Sequence, residues 1–524
     1  MAKRSSKFLV HTFGGGWATD FGFTAYVPIQ GNRVELPWLN AAENCYYELD
    51  GGPHKIEGMT KNFASALESS AAITGIYDLW LTGTSGTPAQ HRVMHVGTKI
   101  KKDDADDSFS DLFTSMTAGS TPDYTVFEDL LIMSNENEVP KSWDGSTAQN
   151  LAGSPPRFAF STVHRQKCWA AGVKANPSTL YYSVNNDPAD WASAGSGSIT
   201  IDPDDGDRIT GIVSFQDRLY VFKGPYKGSI HFIEGSAPTG SDAFARRPFA
   251  KGIGCVAHNT ITHYMNDVAF TWQGGEVHTL SATEKYGDFE HSALTNPIAN
   301  WLRENANLDK MNVARTVNWQ KHSLLLFAIP TGASSTPNMV LMYDYRFQPG
   351  RWAQWSKLDN VHSLAEGYNA STGLTNILAG CDDGFLRTLG QENRNVDGTE
   401  SISMSVATPF LQYELPEMMK QFSGGALVFN PRTDGTVVFG WRRDGATRQT
   451  ESVSQSSPGV KLGTFILGTD TLGVPGYGDN FFRAETGGEF RAIQFDVANN
   501  IFNEDVEVHS INALITPGGE SFES

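Results

Sequence analysis

Apolar and polar residues alternate along most of the chain in short runs rich in Val, Ile, Phe, Tyr and Thr, bounded by Gly, Asn, Asp and Pro. A period of two over four to eight residues marks a strand with one face turned to a core. DRLYVF (Asp217–Phe222), SLLLFAI (Ser323–Ile329) and EFRAIQFDV (Glu489–Val497) are examples. Helical periodicity is confined to Thr295–Asn305, around PIANWLREN, and to a turn or two over Glu414–Gln421. The pattern predicts an all-β protein.

Laid over one another, the runs repeat. ITGIYDLWLTG, YTVFEDLLIMSN, FSTVHRQKCWAAG, ITGIVSFQDRLYVFKG, ITHYMNDVAFTWQGG, ARTVNWQKHSLLLFAI and LAEGYNASTGLTNILAG each read as a strand, a polar turn and a second apolar strand. Their anchors Tyr77, Phe127, Val163, Phe215, Tyr264, Trp319 and Tyr368 are spaced 36 to 55 residues apart. Four-stranded propeller blades take roughly 40–50 residues each. One blade cannot bury both faces alone, whereas a ring of blades covers every face and leaves only short edges. The spacing therefore predicts a β-propeller of six to eight blades, seven by direct count, with a large array of β-sandwiches as the competing architecture. Residues 1–54 read as an extended lead-in able to lend a ring-closing strand, and 55–392 as the propeller. After the polar stretch QENRNVDGTES the blade spacing ends, and ALVFN, GTVVFGW, GTFILG, FRAIQFDV and VEVHSINALI predict a separate β-sandwich over 393–524. The terminal PGGESFES is expected to fray.

Composition narrows the function. The chain has 524 residues and 57.2 kDa, enough for two or three domains. Its net charge of −18 argues against gripping nucleic acid by charge, which needs clustered Lys and Arg. Cys45, Cys168, Cys255 and Cys381 lie far apart in apolar runs, which predicts reduced, buried thiols and folding in a reducing compartment. No secretion leader and no long apolar span is read, so a soluble chain is expected.

Candidate chemistry is thin. No P-loop, H-E-x-x-H or G-x-S-x-G motif occurs. His91 and His95 lie on a strand-like run, too far apart for one metal. The densest acidic group, Asp202, Asp204, Asp205 and Asp207, is the one candidate for a cation, although Gly206 stands where a calcium loop would place a ligand. Solvated turn carboxylates are the alternative reading. Lys101–Asp107 reads as an exposed connecting loop. Asp129, Asp217 and Asp267 recur after three anchors, where either a glycosidase carboxylate set or plain turn chemistry would put them. SWDGST (Ser142–Thr147) is similar to the start of a sialidase Asp box, but departs after Gly145. Trp352 and Trp355, or Tyr181 and Tyr182 with Trp191, are either sugar-stacking platforms or core. No catalytic residue and no cofactor is assigned, and the chain is read as a non-enzyme.

Three stretches resemble the propeller-bearing tail proteins of short-tailed double-stranded DNA bacteriophages, the tail-nozzle and packaged-DNA-stabilisation (head-closure) proteins. They are the opening GWATDFGFTAYVPIQGNRVELPWLNAAENCYYELDGGPHKIEGMTKNF (Gly16–Phe63), LYYSVNNDPADW with GDRITGIVSFQDRLYVFKGPYKGSIHFIEG, and the closing GGEFRAIQFDVANNIFNEDVEVHSINALITPGG (Gly487–Gly519). The resemblance is one of layout and short phrases over most of the chain. It implies a structural virion protein in the phage tail, a homohexameric ring assembled in the host cytoplasm. Its partners would be an adaptor or portal ring above and fibre, spike or needle proteins nearby, with duplex DNA passing through without specific binding. The acidic net charge agrees with a wall along which DNA slides. The competing function is a tail protein that binds or hydrolyses glycans.

Overall fold

The computed structural model describes residues 7–13, 15–19, 24–25, 33–35, 38–103, 108–281, 293–358, 360–369, 373–413, 418–431, 435–455, 478–483 and 488–517. Seven successive sheets make the propeller. Blade 1 is Ile73–Leu81, Ala89–Val96, Lys99–Asp103 and Phe109–Phe113, and blade 2 is Asp123–Phe127, Leu130–Ser134, Lys141–Trp143 and Ala148–Asn150. Blade 3 is Phe160–His164, Lys167–Ala171, Thr179–Tyr182 and Gly197–Thr200. Blade 4 is Arg208–Phe215, Arg218–Gly224, Ser229–Glu234 and Ala245–Lys251. Blade 5 has Thr262–Tyr264, Asp267–Thr271 and Val277–Thr279. Blade 6 begins with Arg315–Trp319, Leu324–Ile329, Met339–Asp344 and Arg351–Trp355, and blade 7 with Val361–Asn369, Leu374–Cys381 and Leu386–Gln391. Each anchor picked out by the repeat lies on the first strand of its blade.

Local chemistry explains the tight first hairpins. Glu128–Asp129, Arg165–Gln166 and Gln216–Asp217 all have positive φ at both residues, between 46° and 60°. That is the backbone of the two-residue turn whose twist matches antiparallel strands. Polar side chains occupy it here in place of the usual Asn-Gly.

The ring closes with a strand from the start of the chain. Gly58–Lys61 pairs antiparallel with Leu386–Gln391 as the fourth strand of blade 7. A Cβ on Gly58 would sit 2.3 Å from the Asn393 carbonyl oxygen, so only glycine lets these backbones approach. Inside the ring, Ser363 Oγ donates to the Ile73 carbonyl at 2.8 Å and Gln90 Nε2 to the Tyr368 carbonyl at 2.6 Å, joining blade 7 to blade 1.

The C-terminal strands form two facing sheets. In one, Val506–Pro517 lies between Lys7–Thr12 and Lys420–Pro431. In the other, Ile493–Asn499 pairs with Met404–Ala407 and Gly435–Arg443. Phe422 of the first sheet packs on Phe495 and Trp441 of the second, with ring centroids 5.3 and 5.6 Å apart. This sandwich is distinct in topology but is not physically separate from the propeller. Ala41–Glu43 lies between the outer strand of blade 6 and Met404–Ala407, so blade 6 and one sandwich sheet form a single 11-stranded sheet. One apolar cluster runs from Phe13 and Trp17 through Trp319, Trp352 and Trp355 to Phe495 and Ile515. Blade 7's sheet likewise extends past residue 392, through Asn395–Val396 and Glu400–Ser401.

Two local expectations need correction. The helix over Thr295–Asn305 is present as a turn at Asn296–Ile298 running into Ala299–Asn305. Over Glu414–Gln421, residues 414–417 lie outside the described residues, and Lys420 and Gln421 begin a strand paired with Phe490, Glu489, Pro517 and Thr516. Tertiary pairing outweighs local helical preference there. Lys101–Asp103 belongs to a blade-1 strand, not a loop, because Lys101 is buried and bonded to Asp111 and Glu68. GTFILG and the tail beyond Pro517 lie outside the described residues. All four cysteines are free and buried. Among the described residues no helix is long and apolar enough to cross a membrane.

Candidate functional site

Strands of blades 1, 2, 6 and 7, with the segment that enters blade 5, line a cavity of about 530 Å³. Tyr77, Asp78 and Trp80 of blade 1, Tyr124 of blade 2, Arg315 and Thr316 of blade 6, and Glu366 and Tyr368 of blade 7 are among its lining residues. Alternation along each strand sends every second side chain inward, which is how sequence-distant residues meet here.

One end of this cavity is closed. Arg315 starts the first strand of blade 6, and its Nη2 donates to Thr121 Oγ1 at 2.9 Å, joining it to the segment entering blade 2. Thr121, Asp123, His258 and Asn259 line both this cavity and a second one of about 390 Å³ on the far side. At the other end Trp80 and Tyr368 are exposed, with ring centroids 6.2 Å apart.

Charge within the cavity is uneven. Asp78 is neutralised by a two-pronged bond from Arg92, at 2.6 and 2.8 Å. Asp123 accepts the Ser161 amide at 2.8 Å, and Glu366 is exposed. Arg315 is only 9% exposed, and its other bonds go to the carbonyls of His362 and Ala314, at 3.2 and 2.9 Å. No carboxylate among the described residues pairs with it. Burial lowers its pKa to about 10, so it remains a cation at neutral pH. Tyr124 Oη and Thr316 Oγ1 on the same walls are buried without a hydrogen-bond partner among the described residues. A charge and two hydroxyls left in this state are costly, and in native proteins such groups cluster at functional sites.

The residues singled out by sequence have other employment. Around the acidic turn, the ammonium of the fully buried Lys223 is held by the Ile201 and Asp202 carbonyls and Asp205 Oδ2, at 2.9, 2.7 and 2.7 Å. Asp207 accepts the amides of Tyr226, Lys227 and Gly228, Asp202 pairs with Arg246, and Asp204 is exposed. Of the four carboxylates only Asp205 meets the internal cation Lys223, which two backbone carbonyls also hold. Asp129 accepts the Thr82 and Gly83 amides, Asp217 pairs with Arg165, and Asp267 accepts from Ser281. These three carboxylates stitch hairpins together and do not line the cavity. Asp144 of SWDGST accepts the amides of Ser146 and Thr147, a local turn.

Trp352 and Trp355 are 1% and 0% exposed, so they are core and not platforms. Tyr182 is buried on Trp169, and Trp191 packs on Phe158. His91 packs on the Trp143 ring, while His95 Nδ1 meets Thr74 Oγ1 at 2.6 Å and burial holds its pKa down at about 4.

A second polar cluster, unforeseen in the sequence, ties the lead-in to the last strand. His54 Nδ1 meets Glu48 at 2.7 Å and Nε2 meets Asp505 at 2.6 Å, while Arg394 bonds Asp505 at 2.9 Å. Glu48, His54 and Glu507 are the one group among the described residues compact enough to hold a metal ion. Both ring nitrogens of His54 already have carboxylate partners, Glu48 and Asp505, and these bonds raise its pKa above the ordinary value.

No family model and no curated protein matches the chain. Among solved structures it is similar to the WD40 β-propeller domain of Doa1, at TM-score 0.38 and 9% identity over 64% of this chain and 97% of that one. It is also similar to BBS1N from its complex with ARL6DN, at TM-score 0.39 and 11% identity over 64% and 98%.

Proposed function

We propose that this chain is a structural ring subunit of a short-tailed phage tail, a nozzle or head-closure protein, whose copies surround the path of the genome. The observation that carries the reading is the weld between propeller and sandwich. Gly58–Lys61, just past the lead-in, completes blade 7, and Ala41–Glu43 of the lead-in joins blade 6 to the C-terminal sheets. A load-bearing ring needs such stiff units, since a flexible linker would let subunits tilt. The Arg315–Thr121 hydrogen bond ties blade 6 to the segment entering blade 2, and in this reading DNA passes between copies and not through a propeller. The acidic net charge suits a wall that does not hold phosphate.

The purified chain, alone and with a phage adaptor or portal ring, tests this by electron microscopy and native mass measurement. A closed homohexameric ring, with negligible duplex-DNA binding at low salt, is expected. A chain that stays monomeric in both conditions, or that binds duplex DNA tightly and salt-sensitively, overturns the reading. The second reading, glycan binding, is favoured by one observation, the exposed Trp80–Tyr368 pair over a polar cavity.

A further inference from the structure

The axial cavity has more polar equipment than a structural ring requires. Its inner end holds the buried Arg315 guanidinium, which has no carboxylate partner among the described residues. Two further hydroxyls, Tyr124 Oη and Thr316 Oγ1, belong to residues lining the same cavity and are buried without hydrogen-bond partners among the described residues. Its outer end carries two exposed aromatic faces, Trp80 and Tyr368. Between them lie planar polar side chains, Gln90, Asp78 and Glu366.

The two ends call for different parts of one ligand. A buried cation bonded only to neutral oxygens is completed by an anion, and a guanidinium fork suits a carboxylate or a phosphate. The walls choose between these. Asp123 and Glu366 line the same cavity beside the already paired Asp78, so a dianion meets like charge that a single carboxylate meets less strongly. The lining segment Gly75–Trp80 alone spans about 17 Å, at roughly 3.3 Å per residue. A lone ion does not fill that length. Aromatic faces that can stack on C–H surfaces, followed by side chains with both donors and acceptors, match a polyhydroxylated ring.

We propose that the axial cavity binds an acidic saccharide, with the carboxylate of a uronic-acid unit on Arg315, hydroxyls on Tyr124 and Thr316, and a neighbouring sugar ring on Trp80 and Tyr368. The site lies within one chain, so it does not depend on assembly into a ring. It gives the glycan-binding reading a substrate class and a polarity, with the acid end innermost.

Calorimetric titration of the full chain tests it. The probes are glucuronate- and galacturonate-terminated disaccharides, their neutral glucose and galactose counterparts, sodium acetate and inorganic phosphate. At least one uronate disaccharide is expected to bind about tenfold more tightly than its neutral counterpart and than acetate or phosphate. Trp80→Ala, at an exposed position, weakens it about threefold or more. Arg315→Met removes the preference for the acid, and Tyr124→Phe, isosteric and safe for folding, weakens uronate binding if Arg315→Met fails to fold. Three results overturn the proposal: no binding of either uronate by folded protein, equal binding of acid and neutral sugars, or acetate or phosphate binding as tightly as the uronate. Uronate binding that survives Trp80→Ala and Tyr124→Phe unchanged overturns the placement in this cavity.

Discussion

At the residue scale, the chain supplies its own counter-charges where sequence suggests external ones. Lys223 shows how. Its ammonium is fully buried, and the acidic turn around Asp202–Asp207 folds round it. Removing the charge leaves two carbonyls and Asp205 without their donor, so Lys223→Met is expected to cost about 2–4 kcal/mol. Asp204→Asn, at an exposed position, should change little. Chemical denaturation of both variants checks this, and added calcium should leave the wild-type midpoint unmoved. His54 makes a pH-dependent counterpart. Burial lowers its pKa, but the bonds from Asp505 and Glu48 outweigh that and raise it above the ordinary value. A raised folded pKa gives stabilisation that is complete below the unfolded value, about 6.5, and is lost as pH rises through the folded value. Several other histidines, His95 among them, are shifted downward and act in the opposite sense, so the total profile mixes both signs. The difference between wild type and His54→Gln isolates the effect. Its penalty should be larger at about pH 5.5 than at about pH 8.5, measured by denaturant titration at each pH. The acidic turn was visible in the sequence, whereas Lys223, inside the apolar run RLYVFKG, gave no sign that it would turn in to meet it.

At the element scale, the hairpin joining the first two strands separates conformational cost from contact. Gln166 is exposed with φ of 60°, a region that non-glycine residues enter at a cost. Gln166→Gly should therefore stabilise blade 3 by about 0.5–1 kcal/mol, read from the thermal midpoint. Asp129 has a similar φ of 57°, but its carboxylate accepts two amides from blade 1. Asp129→Gly relieves the backbone and loses those bonds, so it should be neutral or destabilising. An equal gain at both sites would refute a contact role for Asp129. These turns also show what was legible. The apolar runs and turn residues of FEDL, HRQK and FQDR put each strand pair within a few residues of its observed place, because pairing of adjacent strands is a local matter. Pairing across long separations was not legible. The strand Ala41–Glu43 is three residues of unremarkable AAE, and the facing edges of blade 6 and Met404–Ala407 select it. Arg315 was hidden for the same reason. It begins an ordinary strand, ARTVNW, and becomes unusual only when the ring buries it with no carboxylate partner among the described residues. Trp352 and Trp355 were legible as core in GRWAQW, and the lead-in that covers them was not.

At the scale of the whole molecule, the first 61 residues act as the thread that holds two architectures together. Trp17 donates its amide to the Trp352 carbonyl at 3.1 Å and packs its ring on Trp301 with centroids 5.2 Å apart. Phe13, Trp17 and Leu39 are 2%, 2% and 0% exposed, and all belong to the cluster shared by blade 6 and the sandwich. Burial of each such side chain contributes about 1.5–3 kcal/mol, a large share of the net stability of a typical domain. The boundaries that sequence suggests, 55–392 and 393–524, cut this cluster and also uncover the outer edge of blade 6. A fragment of residues 55–392 retains Gly58–Lys61 and every blade strand, so a propeller stable on its own should fold from it with native near-ultraviolet circular dichroism. The shared core argues for the opposite outcome. The fragment should bind hydrophobic dyes, lack fixed aromatic signals and aggregate at the open edge of Arg351–Trp355. Residues 38–524 keep both stitching strands but lose Phe13, Trp17 and the sandwich strand Lys7–Thr12, so they should fold with a stability lower by at least about 3–6 kcal/mol, the share of the two side chains alone. If residues 55–392 instead give a cooperative thermal transition close to that of the full chain, the propeller and sandwich are independent bodies, and the stiffness on which the ring reading rests is lost.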